Sequence, residues 1–524
     1  MRLIQGRVPL AVAARPAVTS VPPVLLRRQA RCVASEPAGL CRALSSSSTS
    51  SSGSMPAARW PLPRCSLPPA AAACSSAAAA PRRRPRAGAA PAQAEAAVAA
   101  AGASLEELRG ALQLYNTMAR TKQGLRPREG MGDKLQMYVC GVTVYDYSHI
   151  GHARVYVAFD VLYRMLSQLL RYDVQYVRNF TDVDDKIINR ANEAGEDPLA
   201  LSARFIDEFH TDMRLLGCLS PTDEPKATEY IPQMVETIQR IIDNGHAYAV
   251  EGGDVFFDVA SLPGYGRLSG RQQEDNRAGE RVAVDGRKRS PADFALWKSV
   301  KPGEPSWESP WGAGRPGWHI ECSAMIRSVL GPVIDVHGGG RDLVFPHHEN
   351  ELAQSQAAAG CCDKPHLHEG TDFVRLWMHN GFVNVDSEKM SKSLGNFFTI
   401  REVLKSYHPL ALRWFLVATH YRAPVNYTQR ALEEASDRAY YVFQTLADAA
   451  AALEAAGDAG AAAAAQAEAD AREGRGEGAA LAQAVRESLL DDLNTPAVVG
   501  ALSAPLKAVN DLLTTKAGRK NPNR

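Results

Sequence analysis

The chain has 524 residues, 45% of them hydrophobic, 22% charged and 7% aromatic, which is enough apolar mass for several packed domains and excludes a collagen-like or wholly disordered protein. A formal net charge of +1 excludes nucleic-acid binding through overall charge, so any RNA contact must rest on local basic patches. No run approaches the roughly eighteen apolar residues that cross a bilayer, so no membrane association is expected.

Residues 1–105 are predicted to be a transit peptide with no fold of their own. The first hundred residues contain thirteen arginines, no lysine and only two acids, Glu36 and Glu95, together with a serine run from Ser45 to Ser52. Arg-rich, Ser-rich and acid-poor composition is the signature of organellar import, to chloroplast, mitochondrion or both. This segment carries +11, so the remainder of the chain carries −10. Four of the nine cysteines (Cys32, Cys41, Cys65 and Cys74) fall inside it. The body keeps Cys140, Cys218, Cys322, Cys361 and Cys362, an odd number without disulfide spacing. That suits a reducing stroma or matrix, where a thiol is a ligand or a small buried hydrophobe.

From Leu112 the pattern becomes globular. Residues 112–117 and 135–145 read as buried strands, His149 to about Leu170 as a helix, Gln175–Phe180 as the next strand and 184–194 as another helix. This alternation over 112–247 predicts the first half of an α/β, Rossmann-like, doubly wound parallel sheet. Residues 248–312 are turn-rich and charged, with Arg267, Arg271, Arg277, Arg281, Arg287, Lys288 and Arg289 among acids, and read as an inserted subdomain. The second half of the sheet is expected over 313–385, and a loop and stem-contact region over 386–429. A C-terminal α-helical bundle is expected over 430–514, followed by a basic tail, 515–524. Within the bundle, glycines 457, 460, 474, 476 and 478 interrupt an alanine tract, so 447–479 reads as a flexible low-complexity insertion.

Two short motifs carry nucleotide chemistry. His149-Ile150-Gly151-His152 places two imidazoles on one face at the start of a helix, where the helix N-terminus favours phosphate. Lys389-Met390-Ser391-Lys392-Ser393, followed by Leu394-Gly395-Asn396, offers two ammonium groups on a loop that can swing onto a departing pyrophosphate. Either motif alone has a bland reading, as a surface pair or a solvated loop. In this order and about one domain apart, they resemble the class I aminoacyl-tRNA synthetases.

A third constellation suits a metal ion. Cys140 precedes the His149 helix, Cys322 lies in Gly317-Trp318-His319-Ile320-Glu321-Cys322, and His347 and Glu351 are four apart after Pro346. Two thiolates, an imidazole and a carboxylate form a tetrahedral zinc set, although spacing alone does not assemble ligands from three distant segments. Each cysteine taken singly also reads as a buried hydrophobe. A zinc-protease motif fails, because Leu352 stands where the second histidine would be.

Met137–His152, Asn179–Lys186, Gly317–Met325, Asp335–Glu351 and Trp377–Ile400 together resemble the cysteinyl-tRNA synthetases, from about Leu112 to Thr428 with an echo at 489–513. The resemblance implies that Cys140, Cys322, His347 and Glu351 bind one Zn²⁺ per chain, which takes the substrate thiolate. It implies that Thr181, Trp318 and His319 surround L-cysteine. Gly338–Asp342, including Gly340, would cradle adenosine, with Asp342 on the ribose. His149, His152, Lys389 and Lys392 would act on ATP with Mg²⁺, and tRNA(Cys) would accept the cysteine on a monomeric enzyme. Asp182, Asp184 and Asp185 read equally as a capped solvated turn or as groups around the substrate ammonium. The family also carries a small anticodon module after its bundle, which residues 515–524 are not expected to supply. An amino-sugar acceptor in thiol-cofactor synthesis, or a non-catalytic tRNA-binding protein, are the alternative functions.

Overall fold

The computed structural model describes residues 104–271, 285–360, 373–385, 388–389 and 397–520. The expected transit segment lies almost wholly outside them, as do Cys361, Cys362, Arg277, Arg281 and Lys392.

A capping box starts α1 (Leu105–Ala111): the Ser104 hydroxyl accepts from the Glu107 amide, and the Glu107 carboxylate accepts from the Ser104 amide. A small antiparallel ribbon follows, β1 (Leu114–Asn116) with β2 (Thr121–Gln123). Next comes β3 (Lys134–Thr143), whose Leu135, Met137, Tyr138 and Val139 are all fully buried, as a strand covered on both faces requires. The chain crosses through α2 (Ile150–Arg164) to β4 (Asp173–Thr181), which runs parallel to β3 with Met137 opposite Tyr176. The helix expected to reach Leu170 ends at Arg164 and closes in a π-turn over Met165–Leu169. Three helices follow: α3 (Asp185–Ala194), α4 (Pro198–Leu215) and α5 (Ile231–Asp243).

In the region expected to hold an inserted subdomain the chain forms a second sheet. It contains β5 (Ala247–Ala249), β6 (Val255–Phe257), β7 (Phe294–Ser299) and β8 (Gly314–Pro316), antiparallel in that order. Phe257 and Trp297 of this sheet share a core with Ile238 and Ile241 of α5. The ladder carries past Gly312 to Pro316, and the next residue, Gly317, donates to the Leu296 carbonyl.

The parallel sheet then resumes through α6 (Trp318–Val329), β9 (Ile334–Gly340), α7 (Glu349–Ala359) and β10 (Val374–Asn380). Its order is β10-β9-β3-β4, so the winding reverses between β9 and β3. Ligands of such sheets bind outside the carboxyl ends of the strands at that reversal. Gly141 allows β3 and β4 to close there, because a Cβ at this position would stand 1.5 Å from the Asn179 carbonyl oxygen.

A three-stranded sheet, β12-β11-β13, flanks the cleft: β11 (Val383–Val385), β12 (Glu388–Lys389) and β13 (Val425–Tyr427). Between β12 and β13 lie α8 (Ile400–Leu404) and α9 (Pro409–Val417). Arg154, buried on α2, donates to the carbonyls of Leu416, in the last turn of α9, and of Thr419, His420, Tyr421 and Ala423 just after it. The same stretch is tied to the far end of the chain by Asp492, which accepts from the Tyr421 hydroxyl, the Arg422 guanidinium and the Tyr115 amide.

The remaining chain is helical: α10 (Gln429–Ala455), α11 (Gly457–Arg472), α12 (Gly476–Leu490), α13 (Thr495–Ala501) and α14 (Ser503–Thr514). The span expected as a low-complexity insertion, 447–479, is helical apart from the helix junctions, where Gly457, Gly474 and Gly476 adopt φ of 57°, 74° and 81°, and Gly460 and Gly478 lie inside α11 and α12. Alanine, the strongest helix former, fills the spans between. Among the described residues, no helix is long and apolar enough to cross a membrane.

Candidate active site

The carboxyl end of β3 delivers Cys140, the second turn of α6 delivers Cys322, and the entry and first turn of α7 deliver His347 and Glu351. All four are buried, and their donor atoms lie within 4.8 Å of one another. Cys140 Sγ stands 3.8 Å from Cys322 Sγ and 3.5 Å from Glu351 Oε1, and Cys322 Sγ is 3.5 Å from His347 Nε2. A four-coordinate ion with sulfur bonds of about 2.3 Å and nitrogen or oxygen bonds of about 2.0 Å spans edges of about 3.8 Å between sulfurs and about 3.5 Å between sulfur and the lighter donors. Those three separations fit such an ion. A fourth edge, His347 Nε2 to Glu351 Oε1, is shorter at 2.9 Å, a hydrogen bond that a cation would replace.

The charges of the group depend on one another. Burial raises the Cys322 thiol, but its hydrogen bond with Cys140 and the neighbouring His347 outweigh burial and bring it down to about 6. Burial and Cys322 hold Cys140 well above the usual thiol range. Burial opposes ionisation of Glu351, yet His337 and His347 hold it well below the usual carboxylate range. Burial likewise lowers His347, but Glu351 and Cys322 push it up to about 10. Buried acids that carry charge need a compensating cation nearby, a role the His347 imidazolium fills in this arrangement and a bound metal ion would take over.

Three histidines that sequence reasoning missed form an outer layer. His337 Nε2 meets Glu351 Oε2 at 2.8 Å, and His348 Nε2 meets Cys140 Sγ at 3.3 Å. His348 Nδ1 is 2.8 Å from His379 Nε2, and His379 Nδ1 is 2.8 Å from the Thr117 hydroxyl. Cys140, His337, His348 and Glu351 make a second group with metal-ligand spacing. One available signal was the placement of His337 and His379 within apolar β9 and β10, where a buried imidazole needs a partner.

The cleft at the sheet reversal has a volume of about 300 Å³ and is lined by Gly340 and Asp342 after β9 and by His149 and His152 at the head of α2. The two histidines cap the helix reciprocally: His149 Nδ1 accepts from the His152 amide at 3.3 Å, and His152 Nδ1 accepts from the His149 amide at 3.4 Å. Their rings stack with centroids 3.6 Å apart. Accepting at Nδ1 fixes the neutral tautomer with its proton on Nε2, ready to donate to an anion. The chain beyond the second motif returns to this point, because the Ile150 amide donates to the Phe398 carbonyl and the Ile400 amide to that of Ser148. On the other side, the motif begins in β12, of which Lys389 is the last residue. Lys392 lies outside the described residues.

Trp318 lines the cleft and stacks on His347 with centroids 4.2 Å apart, and His319 Nδ1 is 2.9 Å from His347 Nδ1. Thr181 donates to the buried Glu321 carboxylate at 2.7 Å, which braces β4 against α6. The three acids of residues 182–185 have separate fates. Asp182 accepts from the Thr228 amide and hydroxyl, Asp184 caps α3, and Asp185 pairs with Lys298 on β7 and Arg315 on β8.

Residues 128–437 match the family described as tRNA synthetases class I (C) catalytic domain. The chloroplastic/mitochondrial cysteine–tRNA ligase of Arabidopsis thaliana is 56% identical over 414 residues, covering 79% of this chain and 70% of the relative. The chloroplastic/mitochondrial enzyme of Zea mays is 55% identical over 428 residues, covering 82% and 72%. A cysteine–tRNA ligase of Trichlorobacter lovleyi is 52% identical over 414 residues, covering 79% and 81%.

Proposed function

Because the chain belongs to the cysteine–tRNA ligases, within the class I tRNA synthetases, we propose that it joins L-cysteine to tRNA(Cys) in the chloroplast, the mitochondrion or both. It is an ATP-dependent, AMP-forming enzyme, and neither an amino-sugar acceptor nor a non-catalytic RNA-binding role is favoured by this membership. The observation that carries the reading is the buried Cys140–Cys322–His347–Glu351 group directly beside the nucleotide cleft.

In the first step the cysteine carboxylate attacks the ATP α-phosphorus, the acyl–phosphate bond forms and pyrophosphate leaves. Catalysis of this kind is mostly positioning and charge stabilisation. His149 and His152 donate from Nε2 toward the phosphates, and Lys389 and Lys392 meet the charge growing on pyrophosphate, with Mg²⁺ accompanying the ATP. Asp342 holds the ribose hydroxyls. Gly340 keeps the wall open, because a Cβ there would stand 2.5 Å from Asp342 Oδ1. Trp318 and His319 shape the amino-acid pocket, and Thr181 fixes Glu321 beneath it. In the second step a hydroxyl of the terminal tRNA ribose attacks the carbonyl, the ester forms and AMP leaves.

Cys140, Cys322, His347 and Glu351 would hold one Zn²⁺ per chain, which supplies a soft Lewis acid that prefers a thiolate to a hydroxyl. A cavity by itself separates such near-isosteres weakly, so the four ligands are the source of discrimination against serine. His337 and His348 orient Glu351 and Cys140, as partners behind metal ligands commonly do.

The test is cysteine-dependent ATP–pyrophosphate exchange, run against serine, followed by charging of organellar tRNA(Cys). Exchange with cysteine alone and charging of that tRNA are expected. Exchange without charging would redirect the reading to an amino-sugar acceptor. A fluorescent protein fused behind residues 1–105 should enter an organelle, and sizing by light scattering should give a monomer.

A further inference from the structure

Lys186 falls in the charged run Asp182–Lys186, whose acids are all committed to the fold: Asp182 to Thr228, Asp184 to the α3 cap, Asp185 to Lys298 and Arg315. Lys186 differs from them. It is exposed, lines the cleft, and holds its ammonium 5.7 Å from the Tyr145 ring; among the described residues it forms no ion pair. A solvated lysine next to a catalytic cleft needs a reason when every acid around it is occupied.

The sheet order supplies one. Across the carboxyl ends of the strands, Gly340 ends β9 and Asp342 follows it, Cys140 and His149 belong to β3 and its exit, and Lys186 follows the edge strand β4. On the function proposed above, the nucleoside occupies the β9 end and the reacting carboxyl group lies over β3. The β4 end is then left for the second substrate, the acceptor. The first turn of α3 is also where the parallel sheet meets the inserted one, through Asp185 to β7 and β8. A polynucleotide approaching the carboxyl group along that seam passes Lys186 with its backbone, and the group it presents there is a phosphodiester.

We propose that Lys186 binds a backbone phosphate of the acceptor's 3′-terminal nucleotides and positions the terminal ribose for transfer, a role separate from ATP activation. This rests on the tRNA-ligase reading, and the two fail separately: wild-type exchange and charging test that reading, whereas the Lys186 variants test this one.

The experiment compares Lys186→Met and Lys186→Arg with the wild-type full chain. Its readouts are ATP–pyrophosphate exchange, single-turnover transfer from preformed cysteinyl-adenylate, and the salt dependence of the tRNA KM. For Lys186→Met the transfer step should fall on the order of tenfold, as loss of a charged hydrogen bond predicts, with exchange within about twofold. The log–log salt slope should shrink by about 0.7, the contribution of one contact to single-stranded phosphate. Lys186→Arg should restore most of both. A slower exchange with transfer at the wild-type rate would assign Lys186 to ATP and overturn the proposal. So would equal losses in both half-reactions, or an unaltered salt slope.

Discussion

The buried Cys140–Cys322–His347–Glu351 group and the C-terminal helices are held together by opposite means. Around Cys140 nearly every polar partner comes from a distant segment: Cys322 from α6, Glu351 from α7, and His348, itself braced by His379 of β10. In the helices, polar partners are often one turn away, as in Arg430–Glu434, Gln444–Asp448, Gln466–Asp470 and Lys507–Asp511. Large apolar residues such as Phe443, Leu446 and Leu453 are exposed there. The first arrangement fixes atoms to tenths of an ångström and makes each residue depend on the others. The second stabilises each turn by only a few tenths of a kcal/mol and tolerates change.

Several substitutions would break or sharpen that contrast. Cys322→Ser should have the largest effect, because it removes a soft ligand from a buried charged group. Bound metal by atomic emission should disappear, and cysteine-dependent exchange should fall on the order of a hundredfold or more. Retention of full metal and activity would refute the group's role. Lys392→Ala should slow adenylate formation on the order of a hundredfold while leaving cysteine affinity nearly intact, measured by exchange kinetics. His337→Asn should weaken metal retention by about ten- to a hundredfold in a chelator competition. Unchanged retention would show that the outer histidines serve packing alone.

Two smaller effects bear on the seam and on the helices. Burial raises Asp185, but Lys298 and Arg315 outweigh it and hold the carboxyl at about 2. A carboxylate lowered in the folded state stabilises above its unfolded pKa of about 4, and that contribution fades as pH falls toward 2. The stability gap between wild type and Asp185→Asn, from urea midpoints, should therefore narrow between pH 5 and pH 3. Leu446→Ser, on the exposed face of α10, should shift stability by no more than about 0.5 kcal/mol. A large loss there would mean that the helical region is not locally stabilised as its bonds suggest.

Sequence periodicity made the parallel sheet legible because β3, α2 and β4 bury continuous apolar faces. The inserted sheet was less so, since its strands are three to six residues long and separated by charged turns. At the site, His149 and His152 stood out by spacing, and Cys140, Cys322, His347 and Glu351 by family likeness. Beyond the placement of His337 and His379 in apolar strands, nothing in the local sequence names their partners, because a hydrogen bond between distant segments leaves no periodic trace. In the alanine tract the glycines alone do not decide helix: Gly457, Gly474 and Gly476 fall at helix junctions, whereas Gly460 and Gly478 sit inside α11 and α12, where alanine carries the helix.

Arg154 carries a consequence for synthesis of the protein. The helix bearing His149 and His152 is secured by carbonyls some 260 residues later in the chain, 262 away for Leu416 and 269 for Ala423. A growing polypeptide can pair β3, β4, β9 and β10 once residue 380 has left the ribosome, while the guanidinium that ties α2 to the chain after β10 still lacks its partners. The nucleotide site is therefore expected to be among the last parts of the body to mature, and nascent chains paused before residue 423 should not consume ATP.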